Sequence, residues 1–142
     1  MLVRLLYASR AVAPLSASVV DSILEQSRRN NLRQGITGIL CFSEEMFIQV
    51  LEGGREEVCE LFGAIMSDKR HGGVRILVYE EISERRFGGW NMGQVNMTKV
   101  NPALLLKYSD RAVLNPFSSP GRASMTLLDE LIATGSVLSR GS

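Results

Sequence analysis

Three side chains able to donate and accept hydrogen bonds stand among residues that otherwise read as core: Gln49, Tyr7 and Asn31. Gln49 lies in MFIQVL, where strand alternation sets Phe47, Gln49 and Leu51 on one face and Met46, Ile48 and Val50 on the other. A strand apolar on both faces is covered on both sides. A buried amide there needs hydrogen-bond partners or it costs stability, and a satisfied core glutamine is one way to meet that need. Tyr7 ends the aliphatic stripe Val3, Leu5, and an ordinary core-edge tyrosine would look the same. Val20, Leu24, Ser27 and Asn31 fall along one helical face that turns from apolar to polar. The pair Asn30-Asn31 equally suits a fraying helix end.

Other chemistry is thin. The run Asp68-Lys69-Arg70-His71 would either complement a helix dipole or reach the phosphates of a bound nucleotide. His71 is the only histidine, so a Ser-His-Asp or Cys-His machine has no good candidate. Gly53-Gly54 lacks the spacing and the Lys-Ser/Thr ending of a phosphate loop. Glu44-Glu45 and Glu80-Glu81 read as solvated charge. Cys41 and Cys59 lack metal-ligand spacing and read as buried free thiols in a reducing compartment.

The elements that must position these residues follow in order. Leu2 to Ala8 is a predicted strand, and Ser16 or Ser18 caps a helix to about Asn31. Ile36–Phe42 and Met46–Leu51 are strands joined by a polar turn at residues 43–45. Val58, Leu61, Phe62, Ile65 and Met66 mark an amphipathic helix over about Arg55 to His71, with Gly72-Gly73 as its stop. Val74 to Ile82 is a strand, and Trp90 to Met97 is the last, with Trp90, Met92, Gln94 and Asn96 on one face. The order β-α-β-β-α-β-β predicts an α+β, ferredoxin-like sandwich: a mixed sheet of about five strands with two helices on one face. Asn101 to Tyr108 and Met125 to Ala133 read as helices of a C-terminal tail able to cap the other face or bind a partner.

At 142 residues the chain fits one domain, and 45% hydrophobic residues with 22% charged residues are ordinary for a globular protein. A net charge of +1 gives no electrostatic case for binding nucleic acid or a membrane surface. No stretch reads as a signal peptide or a membrane span, so a cytoplasmic protein is expected.

Taken together, Tyr7, Asn31, Thr37-Gly38, FIQVLEG at Phe47 to Gly53, Asp68 to His71, and RRFGGWNM at Arg85 to Met92 resemble the BLUF domain of blue-light photoreceptors. The resemblance covers residues 1–98 and leaves 99–142 as a helical extension. Asn30 stands where some relatives carry His.

The resemblance implies a non-covalently bound flavin, FAD with FMN as the other possibility, lying between the two helices. Ile23 and Ile65 would be aliphatic jaws on either side of the ring. Asn31 would bond its polar edge, and Gln49 would bridge Tyr7 and the flavin, since an amide offers two donors and an acceptor. Ser27, Asn30, Asp68, Arg70, His71 and Met92 complete the implied contact set. The implied chemistry is photochemical, not enzymatic. Tyr7 gives up an electron and then a proton, both return, and a changed hydrogen-bond pattern around Gln49 persists. Trp90 or Met92 would exchange places beside Gln49 and pass the change to the tail. The tail is too short for a cyclase or phosphodiesterase domain, so a separate effector protein and a homo-oligomer are the expected partners. A light-independent ferredoxin-like ligand-binding or oligomerisation module is the competing reading, with a small hydrolase using Arg and Asn behind it.

Overall fold

A computed structural model of the chain describes residues 1–13, 15–113 and 115–133. Pro14 of the expected first loop and residues 134–142 of the expected tail lie outside the described residues.

The elements are β1 (Leu2–Ala11), α1 (Ala17–Gln34), β2 (Thr37–Phe42), β3 (Met46–Gly54), α2 (Arg55–Met66), β4 (His71–Ile82) and β5 (Asn91–Asn96). A single 3-10 turn (Met97–Lys99) then leads to α3 (Pro102–Tyr108) and α4 (Gly121–Ala133). The five strands form one mixed sheet in the order β4-β1-β3-β2-β5, antiparallel throughout except for the parallel β2–β5 pair. This is the α+β, ferredoxin-like sandwich anticipated from the element order.

Alternation on the strands divides the core in two. Val3, Leu5, Tyr7, Leu40, Phe47 and Leu51 pack under α1 and α2 with Val20, Leu24 and Val58. Leu6, Ala8, Ile39, Cys41, Ile48 and Val50 pack on the opposite face with Leu105 of α3 and Leu127, Leu128 and Leu131 of α4. The tail helices therefore cap the second face of the sheet, one of the two roles open to them in the sequence.

The C-terminal ends of two helices differ from expectation for identifiable reasons. Helix α1 is capped by Ser16, whose Oγ accepts from the Val19 N–H, and it runs past Asn31 to Gln34. Gly35 ends it at φ 69°, a left-handed turn that suits glycine. Asn31 thus lies inside the helix and is fully buried, not at a frayed end. Helix α2 stops at Met66, not His71. Beyond it, Asp68 Oδ1 accepts from the Arg70 N–H at 2.9 Å, a local turn that competes with further helix. His71 instead opens β4, and the Gly72-Gly73 pair that reads as a helix stop lies in that strand. The register against β1 shifts between Ala8 and Arg10: Gly72 pairs with Arg10 and Arg75 with Ala8, so Gly73, at φ 60°, and Val74 form a β-bulge opposite Ser9.

Candidate functional site

The strand register builds the site. Tyr7 of β1 and Leu40 of β2 both lie directly opposite Gln49 of β3, all on the face under α1 and α2. The Tyr7 hydroxyl donates to Gln49 Oε1, and Gln49 Nε2 reaches Met92 Sδ at 3.2 Å. A three-member chain, Tyr7–Gln49–Met92, thus crosses the sheet floor.

Met92 reaches that position through an irregularity. Asn91 pairs with Gly38 and Gly93 with Ile39, leaving Met92 as the extra residue of a bulge with φ 75°. A non-glycine residue held there stores about 1–3 kcal/mol of strain. Gly38 itself admits no side chain, since a Cβ would fall 1.9 Å from the Val50 carbonyl oxygen. The bulge overturns the expected common face for Trp90 and Met92. Met92 is buried in the cluster under α1 and α2, whereas Trp90 packs against the tail-side cluster, its ring 5.8 Å from that of Phe87.

Above the floor, α1 and α2 frame a cleft of about 170 Å³. It brings together Tyr7, Ile23, Ser27, Asn30, Asn31, Gln49, Ile65, Asp68, Arg70 and His71, all singled out in the sequence. Met92 lies beneath Gln49, and Trp90 is not among the lining residues. Gln26, Leu40, Phe47, Leu61 and Ala64 also line the cleft and were missed. Phe47 shares the strand face of Gln49 and Leu61 the helix face of Ile65, so periodicity alone would have found both.

Electrostatics differ from floor to rim. Burial, and then the Asp68 carboxylate, push the Tyr7 phenol far above its ordinary range, so it keeps its proton. At the rim, Arg70 grips both Asp68 oxygens and reaches Gln26 Oε1 of α1 at 3.2 Å, bridging the mouth. Its hydrogen bond holds the Asp68 carboxyl below the usual range. His71 is committed at both nitrogens: Nε2 lies 2.7 Å from the Ile65 carbonyl and Nδ1 2.7 Å from Ser9 Oγ. Since a carbonyl only accepts, Nε2 carries the proton.

Asn31 reveals what the cleft suits. Its side chain is fully buried, and neither Oδ1 nor Nδ2 has a hydrogen-bond partner. A buried group left so costs about 1–3 kcal/mol unless something supplies the missing bonds. An amide needs both a donor and an acceptor. Ile23, Leu61 and Ile65 give apolar walls on either side. A flat group with apolar faces and an edge of alternating carbonyl and N–H groups, as in an isoalloxazine, fits this set.

A second buried polar cluster escaped the sequence reading. Glu52 of β3 is fully buried and pairs with Arg4 Nη2 at 2.7 Å. It also accepts from the backbone N–H groups of Arg86 and Phe87 at 3.1 and 2.7 Å. Arg85 Nη1 adds bonds to Thr37 Oγ1 and the Glu52 carbonyl. The signal was present: an acid inside a strand apolar on both faces invites the same question as Gln49.

Comparison with known proteins agrees with this geometry. The sequence pattern of the family described as sensors of blue-light using FAD matches residues 2–93. Among curated relatives, the blue light- and temperature-regulated antirepressor BluF of Escherichia coli (strain K12) is 33% identical over 88 residues, 62% of this chain and 22% of that protein. The photoactivated adenylate cyclase subunit beta of Euglena gracilis is 34% identical over 84 residues, 59% of this chain and 10% of that protein. The chain thus spans only a tenth to about a fifth of the length of these relatives. Among solved structures, BlsA in its photo-activated state superposes with a TM-score of 0.81 at 30% identity, covering 93% of this chain and 95% of that one. BlrB, a BLUF protein in its dark state, superposes with a TM-score of 0.74 at 34% identity, covering 94% and 96%. The fold, the cleft and the matched pattern coincide over the same residues, and the chain belongs to the BLUF family of flavin-based blue-light sensors.

Proposed function

We propose that this chain is a photosensor in which Tyr7 and Gln49 convert blue light into an altered hydrogen-bond pattern, read by an effector protein. The observation that carries this reading is the Tyr7–Gln49–Met92 chain lying at the floor of a cleft whose only buried amide, among the described residues, with both atoms unpartnered is Asn31. A bound flavin, FAD in this reading, supplies blue absorption and, once excited, an oxidant for the phenol. Ile23 and Ile65 would hold the ring, Asn31 would bond its polar edge, and Ser27, Asn30, Asp68, Arg70 and His71, which line the same cleft, would complete the contact set.

The residues' own chemistry then follows. Tyr7 Oη releases its proton along the existing bond to Gln49 Oε1 and recovers it. Turning the Gln49 amide over exchanges its oxygen and nitrogen. An N–H facing Met92 Sδ then becomes a carbonyl oxygen facing a sulfur lone pair, so the contact to β5 is lost. Rearranging one or two hydrogen bonds provides about 1–3 kcal/mol, the size of a typical coupling between sites. That biases a nearly balanced strand and does not drive refolding. Residues 1–98 form the sensor, and the 99–142 extension, whose described helices cover the opposite sheet face, carries the output to the effector or to a second copy.

Absorption spectra of the purified protein in the dark, after a blue flash and during recovery test the reading. A flavin spectrum that shifts slightly to the red and returns is expected, with Tyr7→Phe and Gln49→Leu each retaining flavin and losing the shift. A normal, reversible shift in either variant, or a colourless protein that takes up no added flavin, overturns it.

A further inference from the structure

Between α1 and β5 the structure contains a reciprocal clasp outside the cleft lining. Arg28 Nε and Nη2 of α1 both donate to the Met92 carbonyl, at 3.3 and 3.2 Å. In return, Asn91 Nδ2 donates to the Arg28 carbonyl at 3.2 Å. Each element thus places a side chain on the other's backbone. The strand end of the clasp is the bulge itself, where Asn91 and the left-handed Met92 replace one residue of regular pairing.

Strand geometry gives the clasp a consequence. Successive residues of a regular strand point to opposite faces. With residues 93–96 kept in register, a regular strand through Met92 would turn Asn91 toward the tail side and Trp90 toward α1. The bulge avoids this by directing Asn91 and Met92 to the same side, which leaves Trp90 against Phe87 on the other. The bulge needs an anchor because its central residue is held in a backbone conformation that methionine rarely adopts.

We infer that Arg28 is a positioning residue: its fork on the Met92 carbonyl, with Asn91 in reply, selects the bulged β5 register, in which Met92 faces the Gln49 side and Trp90 is kept off it. The fork suits this task, because two N–H groups on one carbonyl oxygen fix direction as well as distance, which a lysine ammonium cannot do. The inference rests on the proposed function only in so far as Gln49 is the reporting residue; the choice of register is a property of the chain itself.

The chain has one tryptophan, so fluorescence excited at the red edge of indole absorption, beyond the tyrosines, reports Trp90 alone. The test compares the unsubstituted protein with Arg28→Ala, Arg28→Lys and Asn91→Ala, flavin-free and flavin-loaded, with melting curves to establish folding. Loss of a charge-assisted fork is expected to move the ratio of the two registers by roughly tenfold in Arg28→Ala. The flavin-free emission maximum then shifts, and flavin quenches Trp90 more strongly because the indole turns toward the cleft. Arg28→Lys recovers part of the effect and Asn91→Ala reproduces part of it, so the inference remains testable where Arg28→Ala fails to fold. Folded Arg28 and Asn91 variants with unchanged Trp90 emission and quenching overturn it. If the unsubstituted protein shows no light-driven shift, the proposed function falls, while the flavin-free emission still decides the role of Arg28.

Discussion

Strand β3 carries two buried polar residues three positions apart, and their surroundings are opposites. Glu52 faces the tail side and is saturated: Arg4 neutralises it, two backbone N–H groups bond it, and Glu80 holds the far side of Arg4 at 2.7 Å. The register aligns Glu80, Arg4, Glu52 and Thr37 in one row across four strands. Gln49 faces α1 and α2, with one short chain of partners and an unpartnered amide at Asn31 close by. A saturated cluster has a single arrangement and fixes the β4–β5 loop. A cluster with spare donors and acceptors can hold a ligand and has more than one way to bond it.

The contrast predicts that the same kind of truncation acts on different quantities at the two ends. The largest effect is expected for Glu52→Ala, which leaves Arg4 with only its half-exposed partner Glu80 and strips two buried N–H groups of their acceptor. A loss of about 3–5 kcal/mol in urea unfolding is expected. A loss below about 1 kcal/mol would remove the distinction between the clusters. Asn31→Leu should do the reverse. Flavin-free stability stays level or rises, while flavin affinity falls by roughly tenfold or more, as loss of about 1–3 kcal/mol of bonding requires. Equal destabilisation of the flavin-free protein would mean that Asn31 is satisfied without a ligand.

Titration sharpens the comparison further. The Tyr7 phenol and the Cys41 thiol are both pushed up by burial. A raised folded value means that the contribution is intact below the ordinary value, 10.0 for Tyr and 9.0 for Cys, and is lost as pH rises above it. Stability should therefore fall above about pH 9 at up to about 1.4 kcal/mol per pH unit for each group. Alkaline melting of Tyr7→Phe against the unsubstituted chain isolates the phenol. A slope unchanged by the substitution would remove Tyr7 from the explanation. Asp68 has the opposite sign. Its lowered value makes the Arg70 contact contribute above about pH 4 and fade as pH falls. Because the pair sits at a half-open rim, Asp68→Asn should change stability by less than about 1 kcal/mol. A larger loss would mark the rim as a structural clamp.

The sequence exposed most of the floor and little of what aligns it. Alternation put Tyr7 on the stripe of Val3 and Leu5 and Gln49 on that of Phe47 and Leu51, the resemblance joined the two residues, and they meet because β1 and β3 are regular there. Helical spacing brought Ser27 and Asn31 to the same cleft because α1 is continuous through both. Legibility failed wherever a local pattern was overridden. Gly72-Gly73 has the composition of a helix stop, yet Gly72 pairs in the strand and Gly73 opens a bulge in it, because β1 offers its edge there. Period-two reading put Trp90 beside Met92, and one inserted residue separated them. Arg28 had no signal in the sequence, because it bonds a backbone carbonyl 64 positions away, which no spacing rule encodes.

Ile48 and Val50, the immediate neighbours of Gln49, rest in the same cluster as Leu127, Leu128 and Leu131 of α4. The wall between cleft and tail is therefore one peptide layer thick, and no relay through the sheet edge is needed for one side to register the other. Linkage makes such a wall two-way. An effector that grips α4 more tightly when the cleft holds flavin than when it is empty must, by the same factor, tighten the cleft's hold on flavin. Affinity for the chromophore, followed as a protein is added to the far face, would then identify the effector without any light at all.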